Sequence, residues 1–168
     1  NLIGEPVFVA IVFAALSSSI AVGPLLAWAL RLRAAVDFGR FVLPSAVIPD
    51  CAGSTRADVI ATLCAAISEE TTGVSATALR DAALAREAIM CTGLGGGVAV
   101  PHARLPNLAE PMIAFGSHSQ GVDWDAPDGL PVHSAFLVLT AENEPDVQVR
   151  ILAAIAGAMA RDEVRYAL

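Results

Sequence analysis

The sequence predicts an α/β fold preceded by one membrane-spanning helix. Residues 6–30 carry no charge, which is typical of a helix that crosses a membrane. Further along the chain, segments with helical spacing of apolar residues alternate with short apolar segments, a pattern typical of helices packed on a sheet. Residues 133–141 are almost wholly apolar, as expected of a central strand buried on both faces.

The composition agrees with a membrane segment attached to a globular domain. Apolar residues make up 55% of the 168 residues, whereas roughly half or less is usual in soluble domains. The net charge is −7 and all 10 basic residues are arginine, which argues against nucleic-acid binding and excludes a lysine nucleophile. The three cysteines are widely spaced, so we expect no metal site and no disulfide framework, and no cofactor is predicted.

The charges around residues 6–30 predict the orientation of the helix. About 20 apolar residues span a bilayer. Glu5 precedes the run, while Arg31, Arg33 and Arg40 follow it, and positive charge marks the cytoplasmic side. We therefore expect residues 1–33 to lie in the inner (cell) membrane and residues 34–168 to form a cytoplasmic domain. The sequence begins at Asn1 without a methionine, and we interpret it as part of a longer protein.

The first half of the domain reads as one extended segment followed by two helices. Residues 41–50 are apolar but interrupted by two prolines, which favours an edge strand or an extended linker. A helix follows, with Ser54 as its N-cap and Gly73 as its end. Ser75 is placed to cap a second helix that runs to about Met90.

The pattern of the second half of the domain predicts three strands followed by helices. Residues 98–100 and 111–119 read as short strands, and residues 133–141 as the buried one. Residues from Asp146 onward have the spacing of an amphipathic helix, and a short helix is expected near Leu168. No internal repeat is present.

The segment GLGGGVAVPHARL, residues 93–105, contains the strongest candidate for chemistry. Pro101 restricts the backbone just before His102, and histidine is a nucleophile near neutral pH. Glycine N–H groups could approach an anion, and Arg86 or Arg104 could neutralise it. The glycines in question are Gly93, Gly95, Gly96 and Gly97. A flexible glycine loop without ligand is the alternative interpretation of this segment taken alone.

The longer stretch REAIMCTGLGGGVAVPHAR resembles the active-site signature of the type-2 enzyme IIA domain of the sugar phosphotransferase system, the fructose/mannitol class. The resemblance extends over about residues 40–168. It implies a compact α/β fold with a small mixed sheet flanked by helices. It further implies that His102 accepts a phosphoryl group from the carrier HPr, that Arg86 lies near that group, and that Glu87 is the glutamate of the motif.

One position departs from the family pattern. Many members carry a second histidine at the start of the helix after the buried strand, where this chain has Asp146. A carboxylate would repel a phosphoryl dianion. Asp146 as this second-site residue would therefore weaken onward transfer more than acceptance at His102.

Residues 5–33 resemble the last membrane helix of a sodium/proton or other cation/proton antiporter. The first hypothesis is thus a cytoplasmic IIA-like domain that regulates such an antiporter according to phosphotransferase status, with HPr, the rest of the transporter and the membrane as partners. The second is the IIA component of a fructose/mannitol-type permease, a phosphotransferase that relays phosphate to a IIB domain. The third is a IIA-like binding module with a silent site.

Overall fold

The computed structural model describes residues 4–32, 37–70, 74–106, 108–161 and 164, and the chain divides into two compact units, Asn1–Ala35 and Val36–Leu168. In its described part, residues 4–32, the first unit forms the helix α1 (Glu5–Leu32), with Pro24 inside it. Its segment Pro6–Pro24 is long and apolar enough to cross a membrane, and none of it is buried. The predicted apolar helix is therefore confirmed.

The second unit is a mixed sheet with helices on both faces, which confirms the predicted fold class. It begins with a 3₁₀ turn, Phe38–Phe41. Its described strands are β1 (Val42–Ile48), β2 (Gly93–Gly95), β3 (Val98–Ala99), β4 (His102–Leu105), β5 (Met112–Val122) and β6 (Val132–Ala141). Its described helices are α2 (Arg56–Glu70), α3 (Ala76–Ile89) and α4 (Pro145–Met159).

Strand β6 is the centre of the sheet, as its apolar sequence predicts. The strands are ordered β1-β5-β6-β3-β2, and β4 also pairs with β6. Strand β5 is antiparallel to β6, whereas β3 and β4 both run parallel to it, with Val98 opposite Ser134 and His102 opposite Val138. Strand β1 pairs with β5 at the edge, so the predicted extended segment at residues 41–50 contains an edge strand, Val42–Ile48.

Alternate residues of β6 pack into two separate apolar clusters, because successive side chains of a strand point to opposite faces of the sheet. Leu137 and Leu139 pack with Leu63 of α2 and Leu79 of α3 on one face. On the other face, the residues in contact are Phe136, Val138, Ile151 and Ile155. Each fully buried Leu or Ile contributes roughly 1.5–3 kcal/mol, so the two apolar clusters hold α3 and α4 against opposite faces of the sheet.

The helix starts follow capping rules, with one correction. Thr55, and not Ser54, caps α2: its Oγ1 accepts from the Asp58 N–H at 3.2 Å, and Asp58 Oδ2 accepts from the Thr55 N–H at 3.0 Å. Ser75 caps α3 as predicted, accepting from the Ala78 N–H at 3.2 Å. The predicted helix end at Gly73 lies outside the described residues, as does most of the predicted helix near Leu168.

Candidate functional site

His102 is the first residue of β4, a strand that pairs only with β6 among the described residues. The carbonyl oxygen of Pro101 accepts a hydrogen bond from the Val138 N–H at 2.9 Å, and that of Leu105 accepts one from the Glu142 N–H at 3.0 Å. Residues two apart on a strand share a face. His102 and Arg104 therefore lie on one face, while Ala103 between them is buried in the core of the other.

A pocket of about 440 Å³ lies where α3, β4 and α4 meet. Polar side chains from each of these elements line it, and small or branched apolar residues complete the wall. The lining residues are Ala82, Arg86, His102, Ala103, Arg104, Gln148, Val149 and Leu152. The fold thus brings three of the candidate site residues, His102, Arg86 and Arg104, to one pocket.

The imidazole of His102 is held in one tautomer. Its Nδ1 lies 2.9 Å from the carbonyl oxygen of Val100. A carbonyl oxygen can only accept, so Nδ1 carries the hydrogen. In the neutral ring, Nε2 then keeps its lone pair and is the nitrogen available as a nucleophile.

Burial lowers the pKa of His102 from its ordinary value of 6.5. The hydrogen bond to Val100 opposes this shift. The positive charges of Arg86 and Arg104 lower the pKa further, because they disfavour a second cation nearby. The charge of Glu87 opposes this effect, but the net direction is downward, so the neutral ring with an unprotonated Nε2 predominates above pH 6.5.

Arg86 lies in the last turn of α3, where its Nη1 donates to the carbonyl oxygen of Met90 at 3.2 Å. This contact satisfies one of the carbonyl groups that a helix leaves free at its C-terminus. A guanidinium has five N–H donors in a fixed fork. Arg86 therefore has donors left over for an anion in the pocket that it lines.

Arg104 contacts a residue that the sequence analysis did not single out. Its Nε donates to Oε1 of Gln148 at 2.7 Å. Gln148 is only 4% exposed, and it lines the pocket from α4. A signal for it exists in the sequence: Gln148 falls in register with Ile151, Ile155 and Met159, the buried face of α4. Because buried polar groups are almost always hydrogen-bonded, a glutamine on an otherwise apolar helix face indicates a hydrogen-bonding partner in the fold.

Glu87 lies outside the pocket and is buried, 6% exposed. Its carboxylate accepts from the N–H of Thr92 at 3.1 Å and from the Thr92 hydroxyl at 2.5 Å. The indole of Trp124 donates to the same hydroxyl at 3.3 Å. Glu87 thus ties the end of α3 to the segment that leads into β2, and the structure gives it a positioning role.

The glycine cluster also lies away from His102. It forms the turn between the antiparallel strands β2 and β3, and Gly95, Gly96 and Gly97 all adopt positive φ, which favours glycine. The Gly96 N–H already donates to Asp128 Oδ2 at 2.6 Å. Gly95 and Gly96 line a different pocket, so in this structure the cluster builds a hairpin and not a phosphate cradle around His102.

Asp146 is exposed in the first turn of α4 and is not among the residues that line the His102 pocket. Gln148, two residues later, is the residue of this helix that faces Arg104. The Asp146 carboxylate therefore does not contribute to the lining of the His102 pocket. Its effect on onward transfer stays a prediction.

The chain matches the family model described as phosphoenolpyruvate-dependent sugar phosphotransferase system, EIIA 2, over residues 41–168. It is 35% identical over 91 residues to the fructose-specific EIIABC component of Bacillus subtilis, covering 54% of this chain and only 14% of that protein. It is 33% identical over 115 residues to a nitrogen regulatory protein of Bradyrhizobium diazoefficiens, covering 68% and 74% of the two chains.

A solved structure has the same fold. The nitrogen regulatory protein IIA-Ntr from Neisseria meningitidis superposes with a TM-score of 0.72 at 28% identity, covering 77% of this chain and 88% of that one. The family match over residues 41–168 includes α3, β4 and α4.

Proposed function

Since the chain belongs to the EIIA 2 family of the phosphoenolpyruvate-dependent sugar phosphotransferase system, we propose that it accepts a phosphoryl group on Nε2 of His102. The observation that carries this proposal is the contact of Nδ1 with the Val100 carbonyl, which leaves Nε2 as the reactive nitrogen. Arg86 and Arg104 line the same pocket. Their charge complements that of an incoming phosphoryl group.

The transfer is an in-line exchange of one P–N bond for another. The donor is a phosphohistidine on a carrier protein such as HPr. Its P–N bond breaks, a bond forms between phosphorus and Nε2 of His102, and the donor imidazole leaves with its electron pair. No proton needs to move on His102, because Nδ1 keeps its hydrogen. The hydrogen bond from Nδ1–H to the Val100 carbonyl oxygen stabilises the positive charge of the phosphorylated ring.

We further propose that the domain regulates a cation/proton antiporter, to which the N-terminal helix belongs, in the inner membrane. The support is the apolar segment Pro6–Pro24, the arginines that follow it, and the likeness of residues 5–33 to an antiporter helix. The second unit would then be cytoplasmic and would report phosphotransferase status to the transporter. The remainder of that transporter and the membrane are the proposed partners of the first unit.

The test is phosphorylation of the full chain in detergent. HPr, the first enzyme of the system and labelled phosphoenolpyruvate are incubated with wild type, His102→Ala and His118→Ala. His118 is the matched control, a partly buried histidine whose Nε2 lies 2.8 Å from the carbonyl oxygen of Gly53. Acid-labile label on wild type and His118→Ala, but not on His102→Ala, supports the proposal. Absence of label on all three would leave the silent binding module as the function.

A second candidate, the IIA component of a fructose/mannitol-type permease, is favoured by one observation. The exposed Asp146 carboxylate does not line the pocket, which favours a site that also passes its phosphoryl group to a IIB domain. Adding a IIB domain to the labelled chain separates the two functions. Rapid transfer of label would favour the permease component, whereas label retained on His102 would favour the regulatory domain.

A further inference from the structure

Gln148 carries a buried donor that the fold itself does not use. The side chain is 4% exposed, and its Nε2 has no hydrogen-bond partner among the described residues. Buried amide hydrogens are almost always bonded, because losing water without a replacement costs free energy. Such an exception in a pocket wall indicates a group that arrives later.

The orientation of this amide follows from chemistry. Arg104 Nε lies 2.7 Å from one terminal atom of Gln148, and an arginine N–H can only donate. That atom must therefore be the oxygen. The NH₂ group is then the other atom, and Arg104 prevents the amide from turning around.

The pocket around this donor is the one that receives the phosphoryl group. Gln148 approaches from α4, Arg86 from α3, and His102 and Arg104 from β4. Two guanidinium groups supply positive charge, and the amide supplies a neutral donor. A phosphoryl group has three oxygens that accept hydrogen bonds.

We propose that Gln148 binds the phosphoryl group: its Nε2 donates to an oxygen of the group on His102, and Arg104 positions the amide for that contact. The inference rests on the proposed function, because it assumes that His102 carries the phosphoryl group. It assigns the site a donor that keeps its hydrogens at every pH at which the protein is folded.

The first experiment measures the rate at which phosphorylated HPr labels His102 in the full chain. Gln148→Glu keeps an oxygen for Arg104 but removes the donor and adds a negative charge. Gln148→Ala removes both contacts. Since a hydrogen bond to a charged group is worth about one to two powers of ten, Gln148→Ala should be roughly 10-fold slower and Gln148→Glu slower still. Arg150→Ala, an exposed position on the same helix, is the control and should match wild type.

The order of the variants separates binding from a structural role. Gln148→Glu keeps the Arg104 contact, so a structural role would make it the milder change. A Gln148→Glu rate equal to wild type, or faster than that of Gln148→Ala, would overturn the proposal.

The second experiment does not depend on a carrier protein. Phosphoramidate transfers its phosphoryl group to imidazole and releases ammonia, and the side-chain amide of Gln148 is followed by ¹⁵N NMR. We expect the Gln148 amide protons to move downfield when His102 is phosphorylated, and this shift to be weaker in Arg104→Ala.

The two experiments fail in different ways. If HPr does not label wild type but phosphoramidate does, the proposed function fails, and the amide shift alone decides the role of Gln148. If HPr labels wild type and the amide does not shift, the inference on Gln148 fails while the function stands. If neither reagent modifies His102, both are overturned.

Discussion

The Nδ1 of His102 lies 2.9 Å from the carbonyl oxygen of Val100, two residues earlier in the chain. Pro101 between them has no N–H and a fixed φ, so the backbone holds this carbonyl beside the ring. The contact determines which imidazole nitrogen can react. It also links the chemistry of the site to a short backbone segment between β3 and β4.

The first prediction concerns the titration of His102. Burial lowers its pKa below 6.5 in the folded chain, so the unfolded chain binds the proton first. His102 therefore does not reduce the free energy of unfolding above pH 6.5. Below pH 6.5 the free energy of unfolding decreases as the pH falls toward the pKa of the folded state. The Hε1 signal in NMR should titrate below pH 6.5, and His102→Gln should lose less stability on acidification. A midpoint at or above 6.5 would contradict this.

The second prediction concerns Glu87. Replacing it with alanine leaves the buried N–H and hydroxyl of Thr92 without their acceptor. We expect the free energy of unfolding to fall by about 2–4 kcal/mol, since each unpaired buried group costs roughly 1–3 kcal/mol. Urea unfolding followed by tryptophan fluorescence measures it, with Glu69→Ala, an exposed position, as control. A loss no larger than that of the control would show that Glu87 does not anchor this segment.

The third prediction concerns Asp128. Its hydrogen bond from the Gly96 N–H lowers the pKa of the carboxyl from 3.8. The carboxylate therefore stabilises the hairpin above pH 3.8, and this contribution is lost as the pH falls through the folded pKa. We expect Asp128→Ala to lower stability at pH 7 but not at low pH, with phosphorylation of His102 unchanged. A large drop in phosphorylation would instead support a phosphate-binding role for the glycine hairpin.

The fourth prediction concerns Asp146. It is exposed and outside the pocket, so Asp146→Ala should alter the rates of gain and loss of phosphate at His102 by less than about twofold, as expected of a surface charge screened by water and salt. Its position in the first turn of α4 is favourable to a negative charge, so stability should fall by about 0.5 kcal/mol. Stopped-flow or quench labelling measures the rates. A tenfold faster transfer in Asp146→His would restore Asp146 as a second-site residue.

Much of the fold was accessible from local patterns. The apolar run of β6, the helical spacing of α3 and its Ser75 cap are each encoded in a few neighbouring residues, and these elements were predicted with bounds close to those observed. The short strands β2 and β4 were not. Strand β2 is mostly glycine and β4 contains His102 and Arg104, so neither has the apolar run that marks β3. Each forms because β3 or β6 offers it backbone partners.

The sequence by itself determined that the chain has an apolar N-terminal helix and an α/β domain of the EIIA 2 family. Hydrophobic runs, helix caps and a contiguous motif each consist of residues that are close together in the sequence, so they can be recognised without the structure. Only the tertiary structure decided how the motif is used. The glycines and His102 are close in sequence, yet β3 and β4 extend along β6 and separate them. Gln148 is 46 positions from His102 (148 − 102), yet α4 packs on the sheet face that carries β4's exposed side chains and places its amide in the pocket. These side chains meet in one pocket because of strand pairing and helix packing, and the spacing of the residues in the sequence predicts neither.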